Sequence, residues 1–141
     1  MRSDATILLV DDDPVDREAL VRAFRATKVT NPIVEAEDGA EAIQFLRHQG
    51  PDGEAVHPAL ILMDLNMPRL NGLECLRAIK GDPDLCHIPV VVLTSSQQEV
   101  DILDSYRNGA ASYIMKPVSF RALLEAVQAL DLYWTLSELP L

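Results

Sequence analysis

Carboxylates, a hydroxyl and an ammonium stand at the ends of short apolar runs in this chain. Asp11, Asp12 and Asp13 follow Ile7-Leu8-Leu9-Val10, and Asp64 follows Leu60-Ile61-Leu62-Met63. Thr94 follows Val90-Val91-Val92-Leu93, and Lys116 follows Tyr113-Ile114-Met115. If the runs are neighbouring strands, these groups meet on one sheet edge. Carboxylates brought that close repel one another unless a cation binds or one of them is protonated. Hard oxygen ligands with room for water and phosphate suit Mg²⁺, with Mn²⁺ a workable substitute. Such a cluster can hold a phosphoryl group. Asp64 would be its nucleophilic acceptor, since carboxylates form aspartyl phosphates. The cation and Lys116 would neutralise the equatorial oxygens, and Thr94 would donate a hydrogen bond to one of them.

Each residue also has an ordinary role. Aspartate runs are commonly solvated loops, a strand-end Thr is commonly a cap, and a strand-end Lys is commonly solvated. Asp13 precedes Pro14, and Pro suits the first helical position with Asp before it as N-cap. Asp13 is therefore expected to cap a helix, leaving Asp11 and Asp12 for the metal.

The elements that must position these groups are legible in the hydropathy pattern. The runs at 7–10, 60–63 and 90–93 are apolar throughout, as in strands buried on both faces of a parallel sheet. A weaker run holds Ile33-Val34, and Pro89 opens the fourth, where a missing N–H costs little. Between the runs lie helical periods: Leu20 and Phe24; Ile43 and Leu46; Leu73, Leu76 and Ile79; Val100 and Leu103. Phe120, Leu123, Leu124, Val127 and Leu130 form the clearest stripe. Five strands, each followed by a helix, predict an α/β domain: a doubly wound, flavodoxin-like (βα)5 fold with a parallel five-stranded sheet. In the order 2-1-3-4-5 the first and third strands flank the switch point where ligands bind. Residues 48–58 and 81–87 are expected to be loops.

Length and composition narrow the function. The 141 residues make one domain of ordinary size, with 12 Lys+Arg against 22 Asp+Glu and a formal net charge of −10. That balance argues against nucleic acid or anionic membrane as a partner, because both select clustered basic residues. A hydrophobic content of 48% in strong runs argues against disorder. No stretch approaches the ~20 apolar residues of a membrane span, and the first apolar run is too short for a signal peptide. A soluble, cytoplasmic protein is expected. Cys75 and Cys86 match no zinc spacing and are expected to be free thiols. His48, His57 and His87 lie in or beside loops and are read as surface residues.

At the residues singled out above, the chain resembles the receiver domain of two-component response regulators. The resemblance spans residues 5–131 and rests on ILLVDDD at 7–13, LILMDLNMPRLNG at 60–72, VVVLTSS at 90–96 and ASYIMKP at 111–117. It implies that a partner sensor histidine kinase phosphorylates Asp64. It also implies that Asp11, Asp12, Asp64 and the backbone carbonyl of Asn66 bind the metal. Thr94 and Tyr113 would be a switch pair, Lys116 would pair with the phosphate, and the Lys116–Pro117 peptide would be cis. Without the family, Tyr113 is equally a packing residue of its strand. The loop before the third strand, DPDLCHIPVVVLTSS at 82–96 and the tail YWTLSELPL at 133–141 are similar to small stand-alone regulators of bacterial and cyanobacterial phytochrome kinases.

The resemblance divides the chain into a receiver at 1–131 and an apolar extension at 132–141. Tyr133, Trp134, Leu136 and Leu139 would form an exposed apolar patch on a lone monomer. They either fold back on the domain or, the reading preferred here, join a homodimer with the fourth helix, fifth strand and fifth helix. The protein is thus expected to signal through protein contacts, its only chemistry being its own phosphorylation and dephosphorylation. A phosphorelay intermediate passing phosphate to a histidine phosphotransfer protein would share every site residue. A haloacid-dehalogenase-like phosphatase is a remote alternative. It would carry its nucleophile on the first strand in an Asp-x-Asp arrangement, with a cap domain for which 141 residues leave no room.

Overall fold

The computed structural model describes residues 6–26, 29–47, 57–65, 72–95, 112–116 and 119–129. Five parallel strands form one sheet: β1 (Ile7–Val10), β2 (Ile33–Ala36), β3 (Leu60–Asp64), β4 (Val90–Thr94) and β5 (Ser112–Met115). Their order is β2-β1-β3-β4-β5, as the sequence predicts. Register is tight across the centre, with Val10 beside Met63 and Asp64 beside Leu93. The ends of β1 and β3 therefore finish level.

The apolar runs hide a strict alternation. Leu8, Val10, Ile61, Met63, Val90 and Val92 face a core shared with α2 (Gly39–Leu46) and α3 (Gly72–Gly81). Ile7, Leu9, Leu60, Leu62, Val91 and Leu93 face the other core, with Leu20 and Phe24 of α1 (Pro14–Ala26) and Leu123 of α4 (Phe120–Ala129). Both sheet faces are covered, so every residue of β1, β3 and β4 is buried. β2 is an edge strand with half-buried residues, and its signal in the sequence is correspondingly weak.

Local chemistry fixes where the helices start. Pro14 opens α1, and the Val15 N–H donates to Asp13 Oδ1 at 2.9 Å, so Asp13 is the expected cap. Asp38 caps α2 through the Glu41 N–H at 2.8 Å, and the Ala122 N–H donates to Ser119 Oγ at 3.1 Å at the head of α4. Cys75 lies in the core of α3 beside Leu76 and Ile79. The loop after α3 is anchored by buried Leu85 and Ile88, and the Lys80 ammonium donates to the Cys86 and Ile88 carbonyls. Among the described residues no helix is long and apolar enough to cross a membrane. Val100, Leu103, Leu130 and the 132–141 extension lie outside the described residues, as does His48.

Candidate functional site

Parallel strands ending level bring their next residues to one edge, and the chemical groups of this chain collect there. Asp11 leaves β1, Asp64 closes β3, Thr94 closes β4 and Lys116 follows β5. Carboxylate oxygens of Asp11, Asp12 and Asp64 all lie within 4.8 Å of one another. Asp11 and Asp64 are buried, while Asp12 is exposed at the rim.

Lys116 holds this cluster together. Its Nζ lies 3.0 Å from Asp11 Oδ2, 3.2 Å from Asp64 Oδ2 and 2.8 Å from Asp16 Oδ2. Burial acts against the ammonium, but the hydrogen bonds to Asp16 and Asp11 and the charges of Asp64 and Asp11 outweigh it. The Lys116 pKa therefore stands above the ordinary lysine value. For Asp11 the balance reverses: burial raises its pKa more than the Asp13 N–H and Lys116 lower it, and the Asp16 charge raises it further. Asp11 has no solvent exposure, whereas Lys116 still reaches water, so desolvation weighs more heavily on the carboxylate. One ammonium does not neutralise four clustered aspartates.

Asp11 is held in place from both sides. Its Oδ1 accepts the Asp13 N–H at 2.9 Å, and its carbonyl accepts Arg17 Nη1 at 2.6 Å. Arg17 also pairs with Glu35 of β2 at 3.0 Å, tying the loop after β1 to the sheet edge. Thr94 is fully buried, and its hydroxyl donates to Met115 Sδ at 3.0 Å. Its carbonyl accepts the Lys116 N–H at 2.8 Å, which fixes where Lys116 leaves β5. Tyr113 is half-buried on the α2/α3 side of the sheet, where its packing agrees with the core reading.

Of the sequence-derived site residues, the structure brings Asp11, Asp12, Asp64 and Lys116 together, with Thr94 on the adjoining strand end. Asn66 and Pro117 lie outside the described residues, as do Tyr133, Trp134, Leu136 and Leu139. The sequence alone does not mark out Asp16, Arg17 and Gly72. Asp16 lies in the first turn of α1, where an acidic residue is ordinary at a helix N-terminus, so nothing in its position marks it. Gly72 is needed by close approach: a Cβ there would lie 2.4 Å from the Asp64 carbonyl oxygen. The His57 and His87 rings also meet, with centroids 5.4 Å apart, because they precede adjacent strands β3 and β4.

The donor set fits a hard divalent cation. One oxygen from each of three carboxylates lies within 4.8 Å of the others, and Asp12 stands on the exposed side, where water and phosphate would complete an oxygen shell. The family model of the response regulator receiver domain matches residues 7–128 of this chain. The chain belongs to the response regulator receiver family. It is 37% identical over 128 residues to the response regulator Rcp1 of Synechocystis sp., spanning 91% of this chain and 87% of Rcp1. A Mn²⁺-bound structure of Rcp1 superposes with a TM-score of 0.73 at 36% identity, covering 97% of this chain and 99% of that one. The bacteriophytochrome response regulator AtBRR gives a TM-score of 0.84 at 40% identity, covering 92% and 94%. The phosphorylated cyanobacterial phytochrome response regulator RcpA gives 0.74 at 37%, covering 95% and 99%. This receiver is thus a response regulator of two-component signalling, and its family implies a sensor histidine kinase and a divalent cation as its partners.

Proposed function

We propose that this receiver takes a phosphoryl group on Asp64 from a phytochrome-type histidine kinase and passes the signal on through protein contacts, without enzymatic output of its own. The observation that carries the assignment is the convergence of Asp11, Asp12 and Lys116 on Asp64. Similarity to Rcp1, AtBRR and RcpA supports the phytochrome pathway. In the transfer, the P–N bond of a phosphohistidine breaks, an O–P bond to the Asp64 carboxylate forms, and the imidazole leaves with the bonding pair. Asp11, Asp12 and Asp64, together with the Asn66 carbonyl, would hold Mg²⁺, which when bound neutralises charge on the transferring group.

Lys116 supplies the second positive charge. With Asp64 already within 3.2 Å, a small movement carries the ammonium onto a phosphoryl oxygen. Thr94 must turn its hydroxyl from Met115 toward the phosphoryl group, and the change at the end of β4 lets Tyr113 repack against the adjoining face. The Lys116–Pro117 peptide, which we assign as cis on family resemblance, belongs to the same end of β5. Receiver 1–131 and extension 132–141 would then share a dimer surface, with Tyr133, Trp134, Leu136 and Leu139 as its apolar contacts. The cytoplasm is the compartment that this kinase pairing requires.

The test is transfer from a radiolabelled, autophosphorylated phytochrome-type kinase in MgCl₂. Wild type should gain label within minutes as the kinase loses it, while Asp64→Asn gains none. Equal labelling of Asp64→Asn would overturn the assignment of the acceptor.

A further inference from the structure

The ammonium of Lys116 donates hydrogen bonds to Asp16 and Asp11 and forms an ion pair with Asp64. The shortest contact is to neither of the groups expected to handle metal and phosphate. It is to Asp16, at 2.8 Å, against 3.0 Å for Asp11 and 3.2 Å for Asp64. Asp16 sits in the first turn of α1, whose start is fixed by Pro14 and the Asp13 cap. It is separate from the Asp11–Asp12–Asp64 group, and its side chain remains 39% exposed.

We propose that Asp16 is a positioning residue that competes with the phosphoryl group for Lys116, and so sets how readily the receiver is phosphorylated. The inference rests on Asp64 as phosphoryl acceptor. A phosphoryl group on Asp64 presents more negative charge to Lys116 than the bare carboxylate does, and it extends further from the strand end. The phosphoryl oxygens lie beyond the Asp64 carboxylate, so the ammonium must shift to reach them and stretch one of its hydrogen bonds, to Asp11 or to Asp16. Asp11 is buried and would be left uncompensated, a costly outcome for an enclosed charge. Asp16 is part-exposed and can turn to water at little cost. Asp16 is therefore the partner that lets go, and its hold on Lys116 opposes the phosphorylated state. It withholds the ammonium until a phosphoryl group outbids it, which keeps the unphosphorylated receiver in its resting form.

The experiment uses the full chain with phosphoramidate as donor. Its P–N bond breaks, the O–P bond to Asp64 forms, and ammonia leaves. MgCl₂ is kept saturating, so that removing one negative charge does not act through the cation. The phosphorylated fraction is read by intact mass at steady state with limiting donor. For Asp16→Asn the ratio of phosphorylated to unphosphorylated chain should rise about 1.5- to 5-fold, the range for an ion pair with one part-exposed partner. Asp16→Ser, which also lacks the charge, should move the same way, and Asp16→Glu should return toward wild type. An unchanged or lowered ratio in both neutral variants overturns the proposal. So does an Asp16→Glu ratio equal to that of Asp16→Asn, because helix packing rather than the ion pair would then be responsible. If wild type itself takes up no phosphoryl group, the underlying acceptor assignment fails instead.

Discussion

Gly72 opens α3 directly against the chain that leaves β3, and its lack of a side chain is a structural requirement. An alanine Cβ would lie 2.4 Å from the Asp64 carbonyl oxygen, 2.6 Å from Leu65 Cα and 2.9 Å from the Leu65 carbonyl oxygen. Ordinary contact begins near 3.4 Å, so the helix start or the strand end must move by about 1 Å (3.4 − 2.4). None of these atoms belongs to a side chain that could swing aside. The Gly72 N–H also donates to the Leu65 carbonyl at 2.9 Å, so separation weakens that bond as well. Overpacking of this kind costs about 1–3 kcal/mol, offset by at most about 1 kcal/mol of helix propensity gained by alanine. Gly72→Ala should therefore lose about 1–2 kcal/mol, or roughly 3–6 °C in Tm at this chain length.

Gly81, at the other end of the same helix, is the internal control. Nothing lies within 4 Å of its Cβ position, so Gly81→Ala should be neutral or stabilising by up to about 0.5 kcal/mol. Thermal melts and urea titrations of both variants decide the matter. Because Gly72 presses on the carbonyl of Asp64 itself, Gly72→Ala should also slow phosphoryl uptake by about tenfold or more, as expected for a displaced reacting group. If Gly72→Ala melts at or above wild type, or if Gly81→Ala loses as much, the close-approach argument is wrong.

Two further outcomes follow from the environments of buried groups. Burial raises the Asp11 pKa above its ordinary value, so its contribution to stability is present below about pH 4 and is lost as pH rises through the folded value. Asp11→Asn, which carries no charge at any pH, should then melt above wild type at pH 7 without metal, with the advantage narrowing as pH falls toward 4. MgCl₂ should raise the Tm of wild type more than that of the variant, and a variant that melts lower than wild type at pH 7 would refute the reading. The thiols provide the second outcome: Cys75 is buried, with its pKa pushed up to about 11, whereas Cys86 is exposed. A thiol reagent at pH 8 should titrate one equivalent quickly and the second only as the protein unfolds, whereas two fast equivalents would contradict the packing of α3.

Much of this arrangement was legible in the sequence because it follows from burial and strand direction. Strands covered on both faces must be apolar throughout, which makes Ile7–Val10, Leu60–Met63 and Val90–Leu93 conspicuous. Parallel order then forces Asp11, Asp64, Thr94 and Lys116 to one edge. What stayed hidden depends on contacts that no periodicity encodes. Asp16 looks like an ordinary acidic residue of a first helical turn, and its role appears only when Lys116 arrives from 100 residues further along. Gly72 looks like a helix start until the backbone of Asp64 and Leu65 is seen against it. Cys75 had no role in the sequence because a thiol in a core is a packing group. His57 and His87 are far apart in the chain and meet only because β3 and β4 are neighbours.

The central claim is that the Asp64 carboxylate is the phosphoryl acceptor, and chemical trapping tests it without reliance on a variant. The receiver is phosphorylated by phosphoramidate in MgCl₂ and treated with borohydride, which reduces an acyl phosphate to the alcohol and converts the modified aspartate to homoserine. Peptide mass spectrometry then locates that residue. Homoserine at position 64, absent when donor or MgCl₂ is omitted, is the expected result. Homoserine at position 11 or 12 instead, or at no aspartate of a chain that has gained phosphate, would contradict the account.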